Sequence, residues 1–166
     1  MTTTRVRADA DMDGCIEVLG HVYATDGYPV QGLDHARQFL TEGIEQAWVA
    51  VNNGKIIGHA AVSPATDSDV SVVLWRRLYP GKPSIAVLGR LFVDPEQRGS
   101  GAATYLLEAA DSWSEHARCR LVLFALEKDQ VAMKVYKRRG WTEYGTVPYH
   151  YGGGKEMAAV CFVNRI

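Results

Sequence analysis

The chain has 166 residues, 47% hydrophobic and 22% charged, with a formal net charge of −1. That length reads as one domain over residues 1–166, large enough for an apolar core without staples. A near-neutral charge gives no global attraction for nucleic acid or an anionic membrane, so neither is an expected partner, and any anionic ligand must be held by local geometry.

A short first strand is expected around Arg5 to Arg7, followed by a helix capped by Asp9 or Asp11. Met12, Ile16, Leu19 and Tyr23 form its apolar stripe at helical spacing. Gly27-Tyr28-Pro29 breaks the chain, and a second helix is expected over Leu33 to Thr41. Gln46 to Val51 and Lys55 to Val62 are β-rich, and Asn53-Gly54 between them signals a type I′ hairpin. Ser63 to Lys82 reads as irregular, and Ser84 to Val93 as a mostly apolar, central strand. A glycine turn then leads into a helix ending near His116, with Ala103, Leu106, Leu107, Ala110 and Trp113 as its stripe. Arg120 to Leu126 is another apolar strand. Asp129 is placed to cap a helix carrying Val131, Ala132, Val135 and Tyr136 on one face, with Gly140 as its C′ residue. Trp141 to Val147 and Glu156 to Val163 read as a closing hairpin. This order gives an α/β or α+β domain with a mixed sheet of about seven strands and about four helices.

Cys15, Cys119 and Cys161 are odd in number and scattered, which argues against a disulfide framework or a zinc site. They read as small buried hydrophobes of a reducing cytosol, and no metal is expected. No apolar run follows Met1 to Arg5, so no signal peptide is expected, and no stretch approaches the roughly eighteen apolar residues of a membrane span. A cytoplasmic protein is the expectation.

Leu91 to Ala103 is the most informative segment, because it runs from a strand through a glycine turn into a helix. The first amides of a helix have no internal partners, and the macrodipole adds positive potential there, so a phosphate can sit on backbone donors. Gly99 and Gly101 permit positive φ and close approach, Ser100 adds a hydroxyl and Arg98 a fixed charge. There is no Gly-Lys-Ser/Thr ending, so the loop is not a Walker A motif, and its spacing departs from the dinucleotide fingerprint Gly-x-Gly-x-x-Gly. A tight strand-to-helix turn that binds nothing also accounts for it.

Arg98-Gly99-Ser100-Gly101-Ala102-Ala103 resembles the phosphate-loop motif of the GCN5-related N-acetyltransferase (GNAT) superfamily, Arg/Gln-x-x-Gly-x-Gly/Ala. Leu91-Phe92-Val93-Asp94-Pro95 resembles that superfamily's cofactor-contacting strand and its exit. Ala132 to Trp141 resembles its second signature, Ala-x-x-(apolar)-Tyr-x-x-x-Gly-(aromatic). The resemblance implies an acyl-CoA N-acyltransferase fold in which the strands 84–93 and 120–126 splay apart. It implies acetyl-CoA as co-substrate, with pantetheine paired to Leu91, Phe92 and Val93 like an added strand. It places the pyrophosphate on the amides of Gly99, Ser100, Gly101, Ala102 and Ala103. It also implies acetyl transfer to a small-molecule or peptide amine, with Tyr136 as general acid to the departing thiolate, for which a phenol is suitably matched. Tyr136 read without the motif is one more aromatic on an apolar helix face.

Two positions depart from the pattern. Ala86 to Arg90 lacks the strand glutamate that some members use to deprotonate the amine, which leaves the base to water or to a group elsewhere. His59 on the preceding strand has a suitable intrinsic pKa, although a strand histidine is commonly structural. Asp129 stands where many members have asparagine beside the cofactor, and as an anion it cannot donate a hydrogen bond. For the acceptor, Tyr28, Arg90 and Tyr149 are the candidates, set among Tyr23, Trp75, Arg76, Arg77, Tyr79, His150 and Tyr151. A non-catalytic acyl-CoA-binding module, a nucleotide-binding α/β protein of another family and a homodimer all stay open.

Overall fold

The computed structural model describes residues 1–81 and 84–165. In chain order it contains β1 (Thr2–Val6), α1 (Met12–Asp26), α2 (Ala36–Thr41), β2 (Gln46–Asn52), β3 (Lys55–Pro64), α3 (Val70–Leu78), β4 (Ile85–Val93), α4 (Ala102–Ala117), β5 (Arg120–Leu126), α5 (Gln130–Arg138), β6 (Thr142–Tyr151) and β7 (Lys155–Val163). The strands form one seven-stranded sheet in the order β1-β2-β3-β4-β5-β7-β6. It is mixed: β4 and β5 run parallel, whereas β1–β2, β2–β3, β5–β7 and β6–β7 are antiparallel. The registered pairs of β4 with β5 run from Ile85↔Arg120 to Val87↔Val122.

The chain packs as two compact units. One comprises Met1–Ser63 with Gly89–Ala110, and the other Pro64–Leu88 with the chain from Asp111 onward. The division passes through β4.

In the first unit the β2–β3 turn has Asn53 at φ 52 and Gly54 at φ 73, both left-handed, as a type I′ turn requires. Its core gathers Met12, Cys15, Val18, Leu19 and Val22 of α1 with Leu40, Val49 and Phe92. The buried face of α1 is therefore turned from the expected stripe, and Tyr23 is 39% exposed. Asp11 does not cap α1 with its side chain. Its carboxylate instead accepts two bonds from Arg5, at 2.6 and 2.8 Å, and one from the Ala8 amide at 2.7 Å. These bonds hold it down to a pKa of about 2. The second helix is shorter than expected and begins at Ala36.

In the second unit the stretch expected to be irregular contains α3, which brings the α-helices among the described residues to five. Asp69 caps it by accepting from the Ser71 amide at 2.8 Å. Val72 and Trp75 of α3 pack with Val87, Val122 and Val163. Trp75, expected in an acceptor wall, is thus a core residue, with the Arg120 guanidinium 5.4 Å from its ring centroid. β6 runs past the expected end at Val147 to Tyr151 and includes Pro148. It is the last strand of the order, where a missing N–H is tolerated.

Candidate active site

The glycine turn lies in the first unit. After Val93, Asp94 caps a short 3-10 turn, Pro95–Gln97, by accepting from the Glu96 amide at 3.1 Å. Gly99 at φ 88 and Gly101 at φ 85 are both left-handed, and α4 starts at Ala102. A Cβ at Gly99 would meet nothing within 4 Å, so glycine is needed there for backbone conformation and the space above it is open. Two expected phosphate donors have partners within the loop. The Ser100 amide donates to Gln97 O at 3.2 Å, and the Ala102 amide to Ser100 Oγ at 3.3 Å. Arg98 is ion-paired with Asp26, the last residue of α1.

Within β4, the strand that precedes the turn, Arg90 is a non-glycine residue at φ 48. Its Nε donates to Phe39 O at 2.8 Å and its Nη1 to Ser63 Oγ at 3.1 Å, with the guanidinium 5.2 Å from the Phe39 ring centroid. Arg90 and Phe39, with Gln31, His35, Gln38 and Glu42, line a cavity of about 290 Å³. Tyr28 packs edge-on against Phe39, with ring centroids 6.0 Å apart.

His59 is fully buried. Its Nδ1 lies 2.8 Å from Arg90 O, and its Nε2 lies 2.8 Å from Arg7 Nη1. A carbonyl only accepts and a guanidinium only donates, so the proton is on Nδ1 and the Nε2 lone pair is occupied. Burial, foremost, lowers the pKa to about 4. For the role of base expected of His59, this geometry is unfavourable: its lone pair faces a cation inside the core.

The remaining candidates lie in the second unit. Tyr136 is buried on α5, its ring 6.0 Å from Trp141 and 5.6 Å from Phe162. On that helix Met133 is buried while Val131 is 73% exposed, so the expected face is turned here too. Asp129 precedes α5 but makes no side-chain capping bond. Tyr149 of β6 packs at 4.9 Å from Phe124, and burial raises its pKa. A second cavity, of about 430 Å³, is lined by Glu127, Glu156, Pro148 and Met157 and includes none of the expected site residues.

Residues 17–141 match the acetyltransferase (GNAT) family. The chain belongs to that family.

No curated protein matches the sequence. Solved structures do. A GNAT-family acetyltransferase from Streptococcus pneumoniae is 17% identical, with a TM-score of 0.73, and each chain is covered to 100%. The ribosomal-protein-S18-alanine N-acetyltransferase of Escherichia coli is 17% identical, with a TM-score of 0.70, covering 99% of this chain and 93% of that one. The ribosomal-protein-alanine N-acetyltransferase of Brucella melitensis is 18% identical, with a TM-score of 0.71, covering 98% and 99%. At these identities the likeness is one of fold.

In this GNAT acetyltransferase the first unit brings together Leu91, Phe92, Val93, the glycine turn, Arg90 and Tyr28. Family members use acetyl-CoA, and the left-handed turn before α4, open above Gly99, suits its diphosphate. Among the described residues no group of three His, Cys, Asp or Glu side chains could hold a metal, and no helix is long and apolar enough to cross a membrane. Sequence reasoning missed Arg7, Asp26 and Phe39. Each acts on a partner at least 51 positions away, and no local spacing marks such pairs.

Proposed function

We propose that this acetyltransferase moves an acetyl group directly from acetyl-CoA to an amine of a small molecule or peptide, in the cytoplasm, with residues 1–166 acting as one GNAT domain. The observation that carries the reading is the left-handed Gly99 and Gly101 between a cofactor-type strand and the first turn of α4, within a family match. Amides of Gly99, Gly101 and Ala103 would hold the diphosphate. The Ser100 and Ala102 amides would keep the loop's shape through their internal bonds. Main-chain groups of Leu91, Phe92 and Val93 would pair with the pantetheine amides as an added strand.

Bound acetyl-CoA supplies an activated acyl carbon and a thiol leaving group. Tyr136 would donate its phenolic proton to the departing sulfur as the C–S bond breaks and the N–C bond forms. The proton released by the acceptor nitrogen would leave through water, because the one lone pair of the His59 ring already accepts from Arg7. Arg90 and Tyr28 would border the acceptor through the cavity at Phe39, and Tyr149 is a further candidate for that role. Asp129, at the start of α5, stays a candidate cofactor neighbour.

A thiol-release assay on acetyl-CoA across amino acids, polyamines, aminoglycosides and peptides tests this reading. Amine-dependent release is expected. Stabilisation by ATP or NAD with none by acetyl-CoA would overturn it.

A further inference from the structure

We propose that Arg7 and His59 are positioning residues that hold β4 in its left-handed kink at Arg90 and thereby set Leu91–Val93 for the pantetheine arm of coenzyme A. The inference rests on the reading that these three residues carry the cofactor.

His59 meets β4 at two points. Its Nδ1–H donates to the carbonyl of Arg90, the residue at φ 48. Its ring also stacks on Phe92, with centroids 5.2 Å apart and planes 14° from parallel. Phe92 is the middle of the three proposed pantetheine partners. One imidazole therefore fixes both the kink and the strand beyond it.

A non-glycine residue in the left-handed region is disfavoured and persists when its surroundings over-determine it. Arg90 is held at both ends: its carbonyl by His59, and its side chain by Phe39 O and Ser63 Oγ. Arg7 completes the arrangement. Its Nη1 donates to His59 Nε2 at 2.8 Å and to Leu40 O at 2.7 Å. The bond to Nε2 forces the proton onto Nδ1, where it serves Arg90. The guanidinium thus selects the tautomer that the kink requires. Because the imidazole is fully buried, losing its Nδ1–H would leave the Arg90 carbonyl without that donor.

Calorimetric titration of coenzyme A into the full chain tests the proposal with two substitutions of similar size and polarity. The side-chain amide of His59→Asn reaches the Nδ1 position, whereas that of His59→Gln reaches towards Nε2 and Arg7. His59→Asn is expected to bind coenzyme A within about threefold of wild type, and His59→Gln about tenfold more weakly. Any other order overturns the proposal, including equal affinity in all three proteins or equal loss in both variants. Nitrogen NMR of the wild type gives a second readout that needs no variant to fold. A proton on Nδ1 of His59 is expected, with the His59 ring and the Leu91–Val93 amides shifting together as coenzyme A is added. A proton on Nε2, or a ring indifferent to the ligand, overturns it. A wild type that fails to bind coenzyme A would instead sink the cofactor reading itself, and this inference with it.

Discussion

Arg98 forms an ion pair with Asp26, which ties the residue before the glycine turn to the last residue of α1. An aspartate at a helix C-terminus faces the negative end of the macrodipole, and the guanidinium offsets that repulsion. The pair is 46% and 33% exposed on its two sides, so its own contribution to stability is small, about 0.5 kcal/mol.

That arrangement separates stability from ligand binding. Asp26→Asn is expected to leave unfolding free energy within about 1 kcal/mol of wild type. It should tighten coenzyme A binding, because Arg98 is released and a negative charge near the diphosphate is lost. Arg98→Gln should weaken binding about tenfold, by removing a charge-assisted donor. Calorimetric titration at low and high salt checks both. Weaker binding by Asp26→Asn would mean that the carboxylate holds Arg98 in place for the ligand.

Gly99 sits at φ 88 with open space where a Cβ would go, so Gly99→Ala meets strain but no clash. A destabilisation of about 1–2 kcal/mol is expected from the left-handed backbone. A marked loss of coenzyme A affinity should accompany it as the amides turn away. Gly20→Ala in the middle of α1 is the control. It also has open space, but the position is helical, so it should stabilise by up to about 1 kcal/mol and leave the ligand unaffected. Thermal unfolding with and without coenzyme A reads both effects.

Much of this was legible from local signals. Asn53-Gly54 demanded a turn with two left-handed residues, and Arg120–Leu126 is bounded as its apolar run suggests. The glycine turn could be read because its chemistry is contiguous in the chain. Helix α3 was not legible. Val70, Val72 and Val73 are β-branched and favour strands, and the helix owes its place to the Asp69 cap and to Val72 and Trp75 packing in the core. The role of His59 was hidden for a different reason. Its partners, Arg7 and Arg90, lie 52 and 31 positions away, and only the folded sheet reveals that they occupy both ring nitrogens.

Tyr136→Phe tests the chemical step. The substitution keeps the ring that packs between Trp141 and Phe162 and removes only the hydroxyl. Stability should change by about 1 kcal/mol or less. Amine-dependent thiol release should fall about 10²- to 10⁴-fold, with coenzyme A affinity retained. Retained turnover would remove Tyr136 from the mechanism. Wild-type protein that binds coenzyme A yet releases no thiol with any amine would instead be a binding module of the same fold.

Acid stability follows from the imidazole in the core. His59 has a folded pKa of about 4 against an ordinary value of 6.5, so between these values the unfolded chain binds a proton that the native one does not. The native state is therefore fully favoured above about pH 6.5, and loses up to about 1.4 kcal/mol per pH unit as pH falls towards 4. Over the whole window this amounts to about 3 kcal/mol. Asp11, held down to about 2 by Arg5, acts in a separate window below its ordinary 3.8, where its contribution is lost as it protonates. Urea unfolding from pH 7 to pH 4 should show the first slope. His59→Asn, which has no proton to gain, should flatten it. A wild-type curve with no fall in that interval would mean that the native protein accepts the proton, which two donors facing each other across 2.8 Å do not permit.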